Sequence, residues 1–115
     1  MNEGKMRARG PFRIALEQAL GRLPGPDGKR FASILDEGAA LEMEIYAPRG
    51  VDSQEPHRRD ELYVVVSGSG FFRLEGERER FGPGDLLLAP ASAVHRFEEF
   101  TDDLVVWVIF YGPEK

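Results

Sequence analysis

The spacing of apolar positions changes period once along this chain. Phe12, Leu16, Leu20 and Leu23 recur at helical intervals and share one face. Pro24, Gly25, Pro26 and Gly28 then interrupt the pattern, so the spacing predicts one short helix over 12–23, docked on a larger body. Beyond residue 30 the period is two. Leu41, Met43 and Ile45 fall on one side of a strand, and Glu42 and Glu44 on the other, which marks a strand with one wet face. Further strands are expected over 61–66, ended by the SGSG at 67–70, over 86–90, closed by Pro90, over 95–100 and over 104–111. Residues 71–81 read as a hairpin turning near Gly76. About eight short strands with Gly, Pro and Asp turns predict an all-β sandwich or barrel, and no crossover helix interrupts them. The run LVVWVIFY at 104–111 is apolar on both faces. It is either a central strand or a strand whose outer face meets another subunit, so a homodimer is expected.

Composition narrows this picture. A chain of 115 residues with 42% hydrophobic residues builds one ordinary domain with its own core. Fifteen Lys and Arg against 20 Asp and Glu give a net charge of -5, which argues against nucleic acid as a partner because phosphates need a basic face. With no cysteine there is no disulfide and no thiolate metal site, so any metal must be held by nitrogen and oxygen. The opening MNEGKMRARGPF is charged and has no apolar secretion segment, and the eight-residue run at 104–111 is too short to cross a bilayer as a helix. No membrane partner and a cytoplasmic location are the corresponding expectations.

The candidate chemistry lies in EPHRRDELYVVV, residues 55–66. Strand geometry extended back to 55 would turn Glu55, His57, Arg59 and Glu61 to one side, with Tyr63 and Val65 continuing that face. Arg59 would then meet a carboxylate substrate or pair with Glu55 or Asp60, while Asp60 faces outward. The other histidine, His95, opens a later strand. Met43, Tyr63, Phe97, Trp107 and Phe110 are candidate pocket residues, and such residues on strands also serve as plain core. The glycine pairs at 68–70 and 82–84 lack the helix and Lys-Ser/Thr of a phosphate loop and read as turns. No nucleophile elbow is present.

Two stretches together resemble the motifs of the cupin family. In Gly50–Gly68, His57 is followed after three residues by Glu61, and six residues then lead to Gly68. In Gly84–Glu99, five residues separate Gly84 from Pro90, one separates Pro90 from Ser92, and two separate Ser92 from His95. The resemblance covers roughly residues 30–112 and implies a double-stranded β-helix, or jelly-roll barrel, over 30–115 behind an arm and short helix at 1–29. It also joins what periodicity leaves apart. The implied ligands for a divalent metal (Fe, Mn, Zn, Ni or Co) are His57, Glu61 and His95, a 2-His-1-carboxylate set. The chain departs from the pattern at four places, the first being that Gly50 stands one residue nearer to the first ligand position than in the family. Glu55 stands where the family has its first histidine, Ser92 replaces a glycine, and Glu99 replaces an asparagine. Glu55 is therefore the candidate fourth ligand. The resemblance implies a metal-dependent enzyme of dioxygenase, isomerase or lyase type acting on a small polar molecule. The alternative is a non-catalytic small-molecule-binding or sensing barrel without metal, in which the same residues form a hydrogen-bonded cluster. Beyond Glu55 and Tyr63 the sequence offers no general base.

Overall fold

The structure is a computed structural model that describes residues 12–115. Residues 1–11 of the expected arm and helix at 1–29 lie outside the described residues. Eight strands follow a short helix, α1 (Leu16–Leu20): β1 (Phe31–Asp36), β2 (Leu41–Tyr46), β3 (Asp60–Ser67), β4 (Gly70–Leu74), β5 (Glu77–Phe81), β6 (Leu86–Ala89), β7 (His95–Glu98) and β8 (Val105–Tyr111). All pairings are antiparallel. One sheet has the order β1-β2-β8-β3-β6 and the other β5-β4-β7. The expected all-β jelly roll is what the chain forms.

Two apolar layers account for the architecture. Between the sheets, Tyr63, Val65, Val106, Val108 and Phe110 of the larger sheet pack on Phe72, Phe81 and Phe97 of the smaller one. The Tyr63 and Phe97 rings meet edge to face at 5.0 Å, the arrangement that ring quadrupoles favour. On the outer side of the larger sheet, Ile34, Ile45, Ala47 and Val105 pack with Ile14, Leu16, Leu20 and Leu23. Leu16, Leu20 and Leu23 of the expected stripe thus dock, but Phe12 stays exposed and Ile14 packs instead, and the helix itself spans only Leu16–Leu20. The chain enters extended through Ala15, whose N–H is capped by Gln18 Oε1 at 2.8 Å, and leaves at Gly21.

The run at 104–111 resolves as the central strand β8, between β2 and β3. Its outward residues are shared between the helix layer and an open area. Leu86 is 63% exposed and Leu88 47%. They lie beside Val64 and Leu62 in the β3–β6 register, so an apolar area continues across those strands. The hairpin at Gly76 is as expected, with Glu75 and Gly76 both in the left-handed region that a two-residue turn between twisted strands requires. One strand is new. FASILD forms β1, and a register shift between Ser33 and Leu35 breaks its alternation.

Candidate metal centre and its cavity

Antiparallel register sets the inner face of the larger sheet in rows. Glu42, Phe110, Glu61 and Ala89 occupy one row, and Glu44, Val108, Tyr63 and Leu87 the next. Glu61 therefore sits in an apolar layer and is almost fully buried. His95 opens β7 of the opposite sheet, opposite Leu74 of β4, and is equally buried. His57 precedes β3 in a loop, with its side chain 42% exposed. The fold brings these three together. His95 Nε2 lies 3.3 Å from Glu61 Oε1, and His57 Nε2 lies 3.6 Å from Glu61 Oε2. Donors bound tetrahedrally at ordinary zinc or iron distances stand about 3.4 Å apart, so both separations match edges of a coordination shell. Among the described residues, no group of three His, Cys, Asp or Glu side chains stands in an arrangement that would hold a metal ion, so the trio would have to close further around one.

The surroundings fix how these atoms present themselves. His95 Nδ1 lies 2.9 Å from the Ala93 carbonyl, which can only accept, so Nδ1 carries a proton. With Nδ1 as the donor, the neutral ring keeps its lone pair on Nε2, facing Glu61. Tyr63 donates its hydroxyl to Glu61 Oε1 at 2.6 Å, leaving Oε2 without a partner. His95 Nε2 is likewise buried without a hydrogen bond, because its 3.3 Å approach to Glu61 lacks hydrogen-bond geometry. Glu61 Oε2 and His95 Nε2 are thus two buried atoms left without partners, a costly arrangement that a proton or a metal cation relieves. Burial opposes charge on His95, but the Glu61 carboxylate and the Ala93 carbonyl outweigh it and hold the imidazole above its ordinary value. Burial, followed by the Glu61 charge, pushes the Tyr63 phenol well above its usual range.

A second carboxylate, missed in the sequence reading, braces the loop that carries His57. Asp52 is fully buried. It accepts from the Tyr46 hydroxyl at 2.5 Å, the Phe97 amide at 2.8 Å and the Gln54 side chain at 2.8 Å. Gln54 is thereby oriented with Oε1 toward Tyr63 at 3.0 Å. The His57 carbonyl accepts from the Ser92 amide at 2.6 Å, which ties the two histidine-bearing loops together.

Several expectations need correction. The strand begins at Asp60, so same-face parity does not reach back to Glu55. Glu55 is an exposed loop residue lining the cavity described below, and no hydrogen bond or ion pair joins it to the trio. Arg59 pairs with neither Glu55 nor Asp60. It meets Glu42 at 2.9 Å and donates to the carbonyls of Gly112 and Gly38, because the chain has not yet settled into the strand. Asp60 takes the Lys115 ammonium and the Ala91 amide. Tyr63, Phe97 and Phe110 face the space between the sheets, but Met43 and Trp107 face the helix layer. The cause is β2. Its apolar stripe packs under α1, and its acidic stripe, read as solvent-facing, turns toward the mouth of the barrel.

That mouth opens into a cavity of about 700 Å³, lined among others by Lys29, Arg30, Glu44, Tyr46, His57 and Phe110. Its volume suits a small metabolite. Burial, then the Glu42 and Glu61 carboxylates, pushes Glu44 up to about 7.

Residues 42–111 match the family model described as Cupin domain. An uncharacterized protein of Streptomyces coelicolor is 40% identical over 64 residues, 56% of this chain and 61% of that one. Acireductone dioxygenase of Bacillus mycoides is 41% identical over 64 residues, 50% of this chain and 38% of that one. The chain thus spans less than two thirds of either relative's length. Among solved structures, KdgF from Halomonas sp. superposes with a TM-score of 0.60 at 26% identity, over 74% of this chain and 82% of that one. The DMSP lyase DddQ from Ruegeria pomeroyi has a TM-score of 0.62 at 24% identity, over 87% of this chain and 55% of that one, a likeness of fold.

Proposed function

Because the chain belongs to the cupin domain family, we propose that its barrel holds one divalent metal ion through His57, Glu61 and His95 and presents it to a small polar molecule in the cavity. The observation that carries this reading is the pair of buried, unpartnered donor atoms, Glu61 Oε2 and His95 Nε2. Such an ion acts as a Lewis acid toward an oxygen ligand. The chain's own residues do the rest. Tyr63 holds Glu61 by one oxygen and frees the other. The Ala93 carbonyl fixes the His95 tautomer, as second-shell partners of metal-bound histidines do. Phe72 and Phe97 close the inner side against water. His57 comes from the cavity side, which leaves room for a ligand beside it. A relative named acireductone dioxygenase supports chemistry on a small molecule as the class of activity.

Elemental analysis of wild type and His95→Ala, purified without a metal-affinity column, tests the reading. Stoichiometric metal in the wild type, lost in a variant with an unchanged circular dichroism spectrum, is the expected result. A wild type that takes up none of Fe, Mn, Zn, Ni or Co overturns it. The second reading, a metal-free binding barrel, draws on the exposure of His57 and on Glu55 standing where the family has a histidine. We also propose that a second copy covers the apolar area around Leu62, Val64, Leu86 and Leu88, giving a homodimer.

A further inference from the structure

Glu44 is a carboxyl that the fold keeps part-buried and gives nothing to bind. Its neighbour on the same strand face, Glu42, is neutralised by Arg59 at 2.9 Å. Among the described residues, Glu44 has neither an ion pair nor a side-chain hydrogen bond, and it lines the cavity together with His57 and Phe110. An unpartnered, part-buried carboxylate costs stability, so its environment favours the neutral acid or a ligand completes it. Register gives its position relative to the trio. Glu44 is paired with Val108, and Val108 with Tyr63. Two strand spacings separate it from Tyr63, about 10 Å between backbones, with Val108 between them on the cavity wall. The rim supplies the opposite charge. Lys29 rests over the Phe31 ring at 5.6 Å, and Arg30 spends only Nε, on the Ala47 carbonyl at 2.9 Å. Neither has a carboxylate partner among the described residues. The two terminal nitrogens of Arg30 form the fork that grips a carboxylate.

We propose that Glu44 is an acid–base residue of this cavity, exchanging a proton with a small hydroxy- or oxo-carboxylate whose anionic end is met by Lys29 and Arg30. In the ionised form, Glu44 takes a proton from the substrate hydroxyl or from the carbon beside its carbonyl. The electron pair stays on the substrate as alkoxide or enolate, and the carboxyl returns the proton to the same or a neighbouring atom. A carboxyl held near neutrality serves both directions. The inference rests on the small-molecule cavity of the proposed function and is independent of the metal.

Pyruvate in D2O is the probe, with loss of its methyl proton signal followed by NMR. Wild-type protein, as purified, is expected to speed exchange above buffer. Glu44→Gln is expected to cut that rate about 100-fold, with its amide spectrum still perturbed by pyruvate. Arg30→Ala is expected to raise the pyruvate concentration for half-maximal exchange about tenfold or more. A wild type no faster than buffer, or a Glu44→Gln protein as fast as wild type, overturns the assignment. Metal content measured on the same samples separates the two proposals. Glu44-dependent exchange in protein that also takes up none of the five metals sinks only the metal, and Glu44-independent exchange in loaded protein sinks only Glu44.

Discussion

At the scale of single residues, the sharpest prediction concerns Glu44 and pH. In the folded protein its carboxyl is raised from 4.5 to about 7. Between those values the folded state keeps a proton that the unfolded chain has released. Its contribution to stability is therefore complete below pH 4.5 and is lost as pH rises through 7. A shift of this size corresponds to a difference on the order of 3 kcal/mol. The groups around it are Glu42 and Glu61 on the strands, His57 and Glu55 on the loop, and Lys29 and Arg30 at the rim. Glu44→Gln stays neutral, so thermal unfolding should find the variant gaining on wild type from pH 5 to pH 8. A difference independent of pH would refute the environment assigned to Glu44. Tyr63→Phe tests the brace on Glu61. Removing the 2.6 Å hydrogen bond frees the carboxylate to turn, and metal affinity by competitive chelator titration should fall about 10- to 100-fold. Unchanged affinity would leave Tyr63 as core alone. Ser92 and Glu99 are departures from the family motifs that prove to share one backbone property. Both adopt the left-handed region, at φ 67° and 49°, where glycine and asparagine are the tolerated residues. Ser92→Gly should raise stability by about 1 kcal/mol, seen as a higher melting temperature. A lower one would mean that the serine side chain contributes more than its backbone costs.

At the scale of elements, Gly68 explains why a motif that carries ligands also ends in a glycine. The residue has φ 88°, and a β-carbon there would lie 2.6 Å from Leu104 Cα. The turn from β3 to β4 is thus pressed against the connection into β8, and the Ser67 hydroxyl meets the Asp103 carbonyl at 2.6 Å. Gly68→Ala combines strain with a backbone clash and is expected to cost about 3 kcal/mol or more in denaturant unfolding. Gly50→Ala, at φ 73° but in open space, should cost about 1 kcal/mol. Equal costs would show that packing at Gly68 is looser than its geometry implies. Elements were legible where alternation was clean, as in β2, or where an apolar run was bounded by turn residues, as in β3 and β8. FASILD was not, because a bulge shifts Leu35 out of phase with Ser33. Alternation also states that one face is polar without stating which way it turns. Leu41, Met43 and Ile45 needed the helix layer to identify their side, and with it Glu44 passed from solvent to cavity. Parity failed at 55–59 because it is a property of strands and that segment is loop. His57 and Glu61 still meet, since the loop is anchored through Asp52 and Ser92, neither of which has a periodic signature.

At the scale of the whole molecule, one sheet face remains to be covered. The larger sheet has apolar residues on both sides, and the N-terminal segment covers the β1–β2 part of the outer one. The side toward edge strand β6 carries Leu86 and Leu88 into solvent. Sedimentation equilibrium should find a dimer, and Leu86→Glu with Leu88→Glu should yield a folded monomer. A wild type that stays monomeric as concentration rises would assign this face to something other than self-association. The site is also a property of the whole, since Glu61 belongs to one sheet and His95 to the other. Asp52 spans the same divide, taking the Tyr46 hydroxyl from β2 and the Phe97 amide from β7. Sliding either sheet by one residue would strand that buried carboxylate, so it acts as a key for register. For the history of the chain this divides the loop into two kinds of position. Asp52 and the His57 carbonyl hold the frame, while Ser53, Glu55 and Pro56 between them stand exposed beside the cavity. Mutation can rewrite those three, and with them what the barrel accepts, without the fold being put to selection again.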